Sequence, residues 1–302
     1  MPGTPQTLQV PPPVSVQTIL YNTYLQIISG GGNTPFVGPL DTLVSQGATI
    51  ARAWSQRRLL STYTGPADIL RGNGSGSPEA TINYLANGEY DLTAAEAARV
   101  AGGGTQAFRK TWYDQTLNSD ATQSTAANQP PFTTSVRAKG AIGGIASTDC
   151  HLPFDASNII GQFFIYCILT EATTTTRAII GPSINTATSY LRVTSAKVIQ
   201  ASYPTILQTS SGAATGANSI ALFHDPINAA SKIFVNGSLV VTGNSGSNSM
   251  PTNSRIGSSG GVSSSWFTNA GCTISEMIIF GQDPTGLSGW SAFETAARAY
   301  YA

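Results

Sequence analysis

The sequence predicts an all-β protein: one antiparallel jelly-roll β-sandwich with two short helices, carried behind an extended N-terminal arm. Three observations support this. Many short β-branched and aromatic runs are separated by turn residues, an Asn-Gly step joins two of them, and no long amphipathic helices exist to connect parallel strands. The 302 residues exceed an average domain, yet sandwiches of this length are commonly single domains.

The arm is residues 1–45. Pro11-Pro12-Pro13, Gly30-Gly31-Gly32, Pro35, Gly38 and Pro39 interrupt short apolar stretches such as Ile19-Leu20-Tyr21, a pattern that cannot close a core of its own. Extended backbone of this kind needs hydrogen-bond partners from elsewhere, so the segment is expected to anchor the sandwich, residues 46–302, to a neighbouring subunit or particle. Two helices are predicted beyond it. Thr93-Ala94-Ala95-Glu96 reads as a capping box ahead of alanine-rich residues stopped by Gly102-Gly103-Gly104, and Ser291 with Glu294 repeats that spacing before Ala296-Ala297-Arg298-Ala299.

The strand signals are stronger. Phe163 to Leu169 is a continuous apolar run that reads as a fully buried strand, and Ser219 to His224 as another. Asn236-Gly237 lies between the runs 232–235 and 238–241, where both central positions of a type I′ turn require positive φ. Ile274 to Phe280 alternates enough to predict a half-buried strand.

Charge narrows the function. Only 10% of residues are Asp, Glu, Lys or Arg, against about 25% in an average soluble protein, and 15 basic residues balance 15 acidic ones. No long-range field exists to attract phosphate backbones or anionic lipid, so neither nucleic acid nor a membrane is an expected partner. A weakly charged surface also favours a chain covered in an assembly, and a homo-oligomer is expected. The opening Met1-Pro2-Gly3-Thr4 is not a basic region followed by an apolar core, and no apolar run approaches the roughly 20 residues of a membrane span. Cys150, Cys167 and Cys272 are odd in number without CxxC spacing, so buried free thiols are expected rather than disulfides or a zinc site. No cofactor or metal is expected, the second half being too poor in acids for calcium.

Arg57-Arg58-Leu59-Leu60-Ser61-Thr62-Tyr63-Thr64-Gly65-Pro66, then Thr111-Trp112-Tyr113-Asp114-Gln115 and Asp120-Ala121-Thr122-Gln123, resemble the catalytic domain of fungal arabinofuranosidase B. From Ser219 through the Asn236-Gly237 hairpin to Phe280 the chain resembles the broader laminin-G and concanavalin-like pattern. Bacteriophage structural proteins carry similar domains, and the resemblance covers roughly residues 46–302. It implies two acids in the second half. A retaining glycosidase needs two carboxyl groups about 5 Å apart. The segments matching the family's acids are Ile179–Thr186 and Arg255–Val262, and neither contains Asp or Glu; between residues 172 and 275 the sole carboxylate is Asp225.

Other candidates are weaker. The resemblance implies a structural Asp114, and His224-Asp225 cannot form a dyad because neighbours on a strand face opposite sides. No Gly-x-Ser-x-Gly elbow accompanies His151 or His224. Gly72-Asn73-Gly74-Ser75-Gly76 lacks the Lys-Ser/Thr of a phosphate loop and reads as a loop tip, and Gly243–Ser249 as a flexible connection. Tyr203 and Trp266 are the candidates for stacking on sugar rings, with core packing the alternative for each. The combined expectation is a non-enzymatic bacteriophage virion protein, a head-decoration or fibre/tail component. Residues 1–45 would join other virion proteins, and the jelly roll would face host-surface polysaccharide. The alternatives are an arabinofuranosidase-like hydrolase and a free carbohydrate-binding module.

Overall fold

A computed structural model describes residues 35–133, 141–143, 150–170, 176–183, 190–258 and 272–302. Its helices are α1 (Asp41–Ser45), α2 (Leu92–Val100) and α3 (Trp290–Tyr300). The strands begin with β1 (Ile50–Ser55), β2 (Asp68–Gly72), β3 (Glu79–Ile82), β4 (Ala107–Trp112), β5 (Ala121–Thr122) and β6 (Pro131–Thr133). They continue with β7 (Ala141–Gly143), β8 (Leu152–Asp155), β9 (Phe163–Thr170), β10 (Arg177–Pro182), β11 (Tyr190–Val193) and β12 (Ile199–Ser202). The last six are β13 (Ile206–Gln208), β14 (Ser219–Asp225), β15 (Ala230–Val235), β16 (Ser238–Gly243), β17 (Asn253–Ile256) and β18 (Thr273–Phe280).

They form two antiparallel sheets, as an all-β sandwich requires. The larger runs β16-β15-β14-β9-β18-β7-β6-β4-β2-β3, with β1 also on β18 and β5 on β4; the smaller runs β13-β12-β11-β10-β17-β8. One core lies between the sheets. A second lies on the other side of the large sheet, beneath α1 and α3. Strand β9 shows why its sequence is apolar throughout: Phe163, Ile165, Cys167 and Leu169 enter the inter-sheet core, while Phe164, Tyr166 and Ile168 enter the helix-covered one. Helix α3 covers that second core with Trp290, Phe293 and Ala297, one helical stripe.

Strand β18 is buried along its whole length rather than half-buried. Its apparent alternation misleads because a bulge between Ile274 and Glu276 resets the pleat. Ile274, Met277 and Ile279 thus share the inter-sheet core, and Ile278 and Phe280 the helix-covered one. Glu276 is turned to the helix-covered side, where Arg57 meets it with Nε at 2.8 Å and Nη2 at 3.1 Å and Ser55 donates to it at 2.8 Å.

The compact unit begins at Val37, not residue 46. Leu40 and Leu43 are completely buried in the helix-covered core, so α1 belongs to the sandwich although Pro39 and Gly38 made it read as arm. Both predicted capping boxes are also corrected. Asp91, two residues before Thr93, caps α2 by accepting from the Ala94 N–H at 2.9 Å, and Glu96 instead pairs with Arg99. Ser291 lies inside α3, and Glu294 accepts from Ser219 and Arg298. The Asn236-Gly237 hairpin forms as predicted, with φ of 50° and 78°. All three cysteines are buried and unpaired with one another. No helix among the described residues is long and apolar enough to cross a membrane.

Candidate functional site

Strands β10 and β17 hold the described parts of the two segments that the resemblance marks for the acids, and they are hydrogen-bonded neighbours: Ile180 lies opposite Ile256, Gly181 opposite Arg255, and Pro182 opposite Ser254. Ile180 and Ile256 face the inter-sheet core. Alternation therefore turns Gly181 and Arg255 to the outer side of the six-stranded sheet. Since Ile180 is opposite Leu191 on β11, Tyr190 stands beside Gly181 on that outer side, and Pro153 of β8 stands beside Arg255. The adjoining row is Arg192, Gln200 and Gln208, joined by side-chain hydrogen bonds of 2.7 Å each. The Arg192 guanidinium lies 4.3 Å from the centre of the Tyr190 ring.

The placement expected of a catalytic pair is present, and the carboxylates are not. Residues 179–186 and 255–262 contain no Asp or Glu. Among the described residues of these strands, the one acid on this face is Asp155 on the edge strand β8, opposite Asn253. Its oxygens accept from the Ser157 N–H at 2.8 Å and hydroxyl at 3.0 Å, which hold its pKa below the usual carboxylate range.

Three acids of the first half, Asp114, Asp120 and Asp68, are held in contacts of their own. Asp114 is fully buried and organises its own loop, accepting from the N–H groups of Ala53, Thr116, Asn118 and Ser119 and from the Thr116 hydroxyl. Asp120 accepts from the Asp114 N–H at 3.0 Å. Asp68 is buried against Arg109 at 2.5 Å and Tyr90 at 2.9 Å. Among the described residues no group of three or more His, Cys, Asp or Glu side chains could hold a metal ion.

His224 has no partnership with Asp225, as the strand geometry requires. It is completely buried between the sheets, its ring stacked on Tyr203 with centroids 4.5 Å apart and set against Phe163 at 5.2 Å. Nε2 lies 2.9 Å from the Asn248 carbonyl, which assigns the proton to Nε2; Nδ1 then accepts from Ser231 at 3.0 Å or Ser245 at 2.9 Å. A serine–histidine contact thus exists, but Ser231 and Ser245 are 2% and 0% exposed, and no substrate reaches them. Asp225 turns to its own loop and accepts from Ile227 and Asn228.

Tyr203 is therefore not a sugar-stacking platform. It is 2% exposed, its ring faces His224 and Phe163, and its carbonyl accepts from the Asn248 N–H at 2.7 Å. The same contacts correct the reading of 243–249 as a free connection: Ser245 is buried, and a Cβ on Gly246 would overlap the Tyr203 carbonyl. Trp266 lies outside the described residues. Sequence reasoning missed Gly181, Tyr190, Arg192 and Arg255. The signal was the alternation in Tyr190-Leu191-Arg192-Val193 and Asn253-Ser254-Arg255-Ile256, which puts both arginines outward once the strands are known.

No protein-family model matches the chain, and no curated protein does. Solved structures do. An arabinofuranosidase complexed with arabinofuranosyl-α-1,2-xylobiose superposes with a TM-score of 0.61 and 16% identity over 88% of this chain and 64% of that one. A mutant GH54 α-L-arabinofuranosidase soaked with 4-nitrophenyl α-L-arabinofuranoside gives a TM-score of 0.62 and 16% identity over 88% of this chain and 65% of that one. A Trypanosoma rangeli sialidase aligns with a TM-score of 0.41 and 11% identity over 62% of this chain and 31% of that one. The chain thus spans slightly less than two thirds of the arabinofuranosidases it superposes on and shares their β-sandwich fold.

Proposed function

We propose that the chain is a non-hydrolytic, glycan-contacting β-sandwich borne on the outside of a bacteriophage particle. The residues ahead of the sandwich join it to sister subunits or other particle proteins. The observation that carries the non-hydrolytic part is the β10–β17 pair: the two strands stand side by side where a glycosidase of this fold class would present its acids, and they present glycine, serine and arginine. One carboxylate at the sheet edge, Asp155, cannot act as both nucleophile and proton shuttle. The particle assignment draws on the resemblance to phage structural domains, the zero net charge and the proline- and glycine-punctuated leading segment.

The test is incubation of the full chain with arabinans and bacterial surface polysaccharides, following retention on the polymer and release of reducing sugar together. Retention without release is expected. Release of sugar would overturn the reading and place a working carboxylate pair elsewhere in the sandwich, the arabinofuranosidase-like alternative that the shared fold favours.

A further inference from the structure

We propose that the groove between helices α1 and α3 receives the apolar run Val14 to Ile28 from the leading segment of a sister copy. The inference rests on the reading above, in which the leading segment joins sister subunits, and names the surface that takes it in.

The groove is open and apolar. Its floor is the buried pair Leu43 and Phe293, and Thr42, Ala292 and Ala296 are exposed along it. The walls meet at Gly289, whose N–H donates to Gln46 Oε1 at 3.0 Å and where a Cβ would come 3.1 Å from Thr42 Cγ2. The two alanines are one turn apart on α3, so they share a face and leave room that larger side chains would fill. The groove holds about 230 Å³. An apolar cavity of about 150 Å³ already takes up benzene, so one aromatic or branched aliphatic side chain fits here. None of the lining residues is charged, which suits an apolar guest rather than an ion or a sugar.

The chain itself supplies a guest of matching chemistry. Its first 40 residues contain no Asp, Glu, Lys or Arg, where an average soluble protein would place about ten. Nine of the fifteen residues from Val14 to Ile28 are Val, Ile, Leu or Tyr. A run of that chemistry is costly to leave in water, and an apolar surface is what relieves the cost. The run is also tethered close to a groove of this kind. Pro39 lines the groove and Val37, two residues earlier, is 72% exposed. The chain from Ile28 to Pro39 spans at most about 40 Å, enough to cross to a copy packed alongside. Each copy offers one run and one groove, so the contact is heterologous and repeats from copy to copy, closing into a ring where the rotation permits.

The experiment is sedimentation of the full-length chain over a concentration series, joined to cysteine crosslinking. The natural chain is expected to assemble. Ala296→Trp, which fills the groove, and Leu25→Asp, which puts a charge into the run, should each raise the concentration needed for assembly at least tenfold. Ala296→Ser leaves the groove open and should assemble as the natural chain does. An equal mixture of Leu25→Cys chains and Ala296→Cys chains should form disulfide-linked pairs of one with the other under mild oxidation, the three natural cysteines being buried. Each variant is checked for a native unfolding midpoint, so that weakened assembly is not mistaken for a lost fold. Assembly unchanged by both Ala296→Trp and Leu25→Asp, or a mixture that yields no linked pair, would overturn the inference while leaving the leading segment its joining role at another surface. A chain that stays monomeric throughout would overturn the inference and confine that role to other particle proteins.

Discussion

Two buried ionisable residues show how single positions tie this fold together. Glu276 is completely buried, bonded by Arg57 through two nitrogens and by Ser55, with the Tyr301 hydroxyl at 3.3 Å. Removing one charge of such a pair strands the other, so Glu276→Gln is expected to cost about 3 kcal/mol in chemical denaturation. Loss of less than about 1 kcal/mol would show that water reaches the arginine. His224 carries a pH signature. Burial lowers its pKa below the ordinary 6.5, with the Asn248 hydrogen bond and Asp225 opposing. Below 6.5 the unfolded chain binds a proton that the folded chain refuses. Stability from this residue is therefore complete above that pH and lost as pH falls toward the folded-state value, by at most about 1.4 kcal/mol per unit. Unfolding free energies at about pH 7.5 and about pH 5.5, either side of the ordinary histidine value, should differ less in His224→Gln than in the natural chain. An equal difference would assign the slope to other groups.

At the scale of elements, two local devices have measurable consequences. Asp91 satisfies an N–H in the first turn of α2, and Asp91→Ala should cost about 1 kcal/mol. Thr93→Ala should cost less, since Thr93 is already inside the helix. In the β15–β16 hairpin, Gly237 has a φ of 78°, and a Cβ there would lie 2.7 Å from Glu294 Oε2. Gly237→Ala combines left-handed strain with that collision, so a loss of about 2 kcal/mol is expected by thermal or chemical unfolding. The hairpin was legible in sequence because a type I′ turn needs two special backbone conformations that Asn-Gly supplies locally. The α2 start was misplaced because Asp91 and Thr93 are both acceptable caps, and the choice depends on where Tyr90 and Ala95 enter the core packed on β2.

For the whole molecule, the decisive boundary is where the sandwich begins. Deleting residues 1–34 should leave a cooperatively folding sandwich, whereas deleting 1–45 also removes Leu40 and Leu43, buried completely beneath α3. Each buried leucine lost costs about 2–5 kcal/mol, so the longer deletion should unfold at markedly lower denaturant. Sedimentation of the full chain against the 1–34 deletion tests the assembly role: a smaller particle on deletion is expected, and an unchanged one would remove that role from the leading segment.

The fold class and the lack of acids in the two strand segments could be read from residue order. Period-two alternation, continuous apolar strands and an Asn-Gly turn are local properties, and a carboxylate absent from residues 172–224 and 226–275 is absent in any fold. Which neutral or cationic side chains stand where acids were expected became visible with the folded chain. Gly181 and Arg255 lie far apart in the sequence and become neighbours through strand register, which depends on the packing of Ile180 and Ile256 into a core built by the whole chain. The same long-range packing placed Tyr203 under His224 and turned Glu276 to Arg57 through a bulge, because a buried face is chosen by what covers it and not by the residue alone.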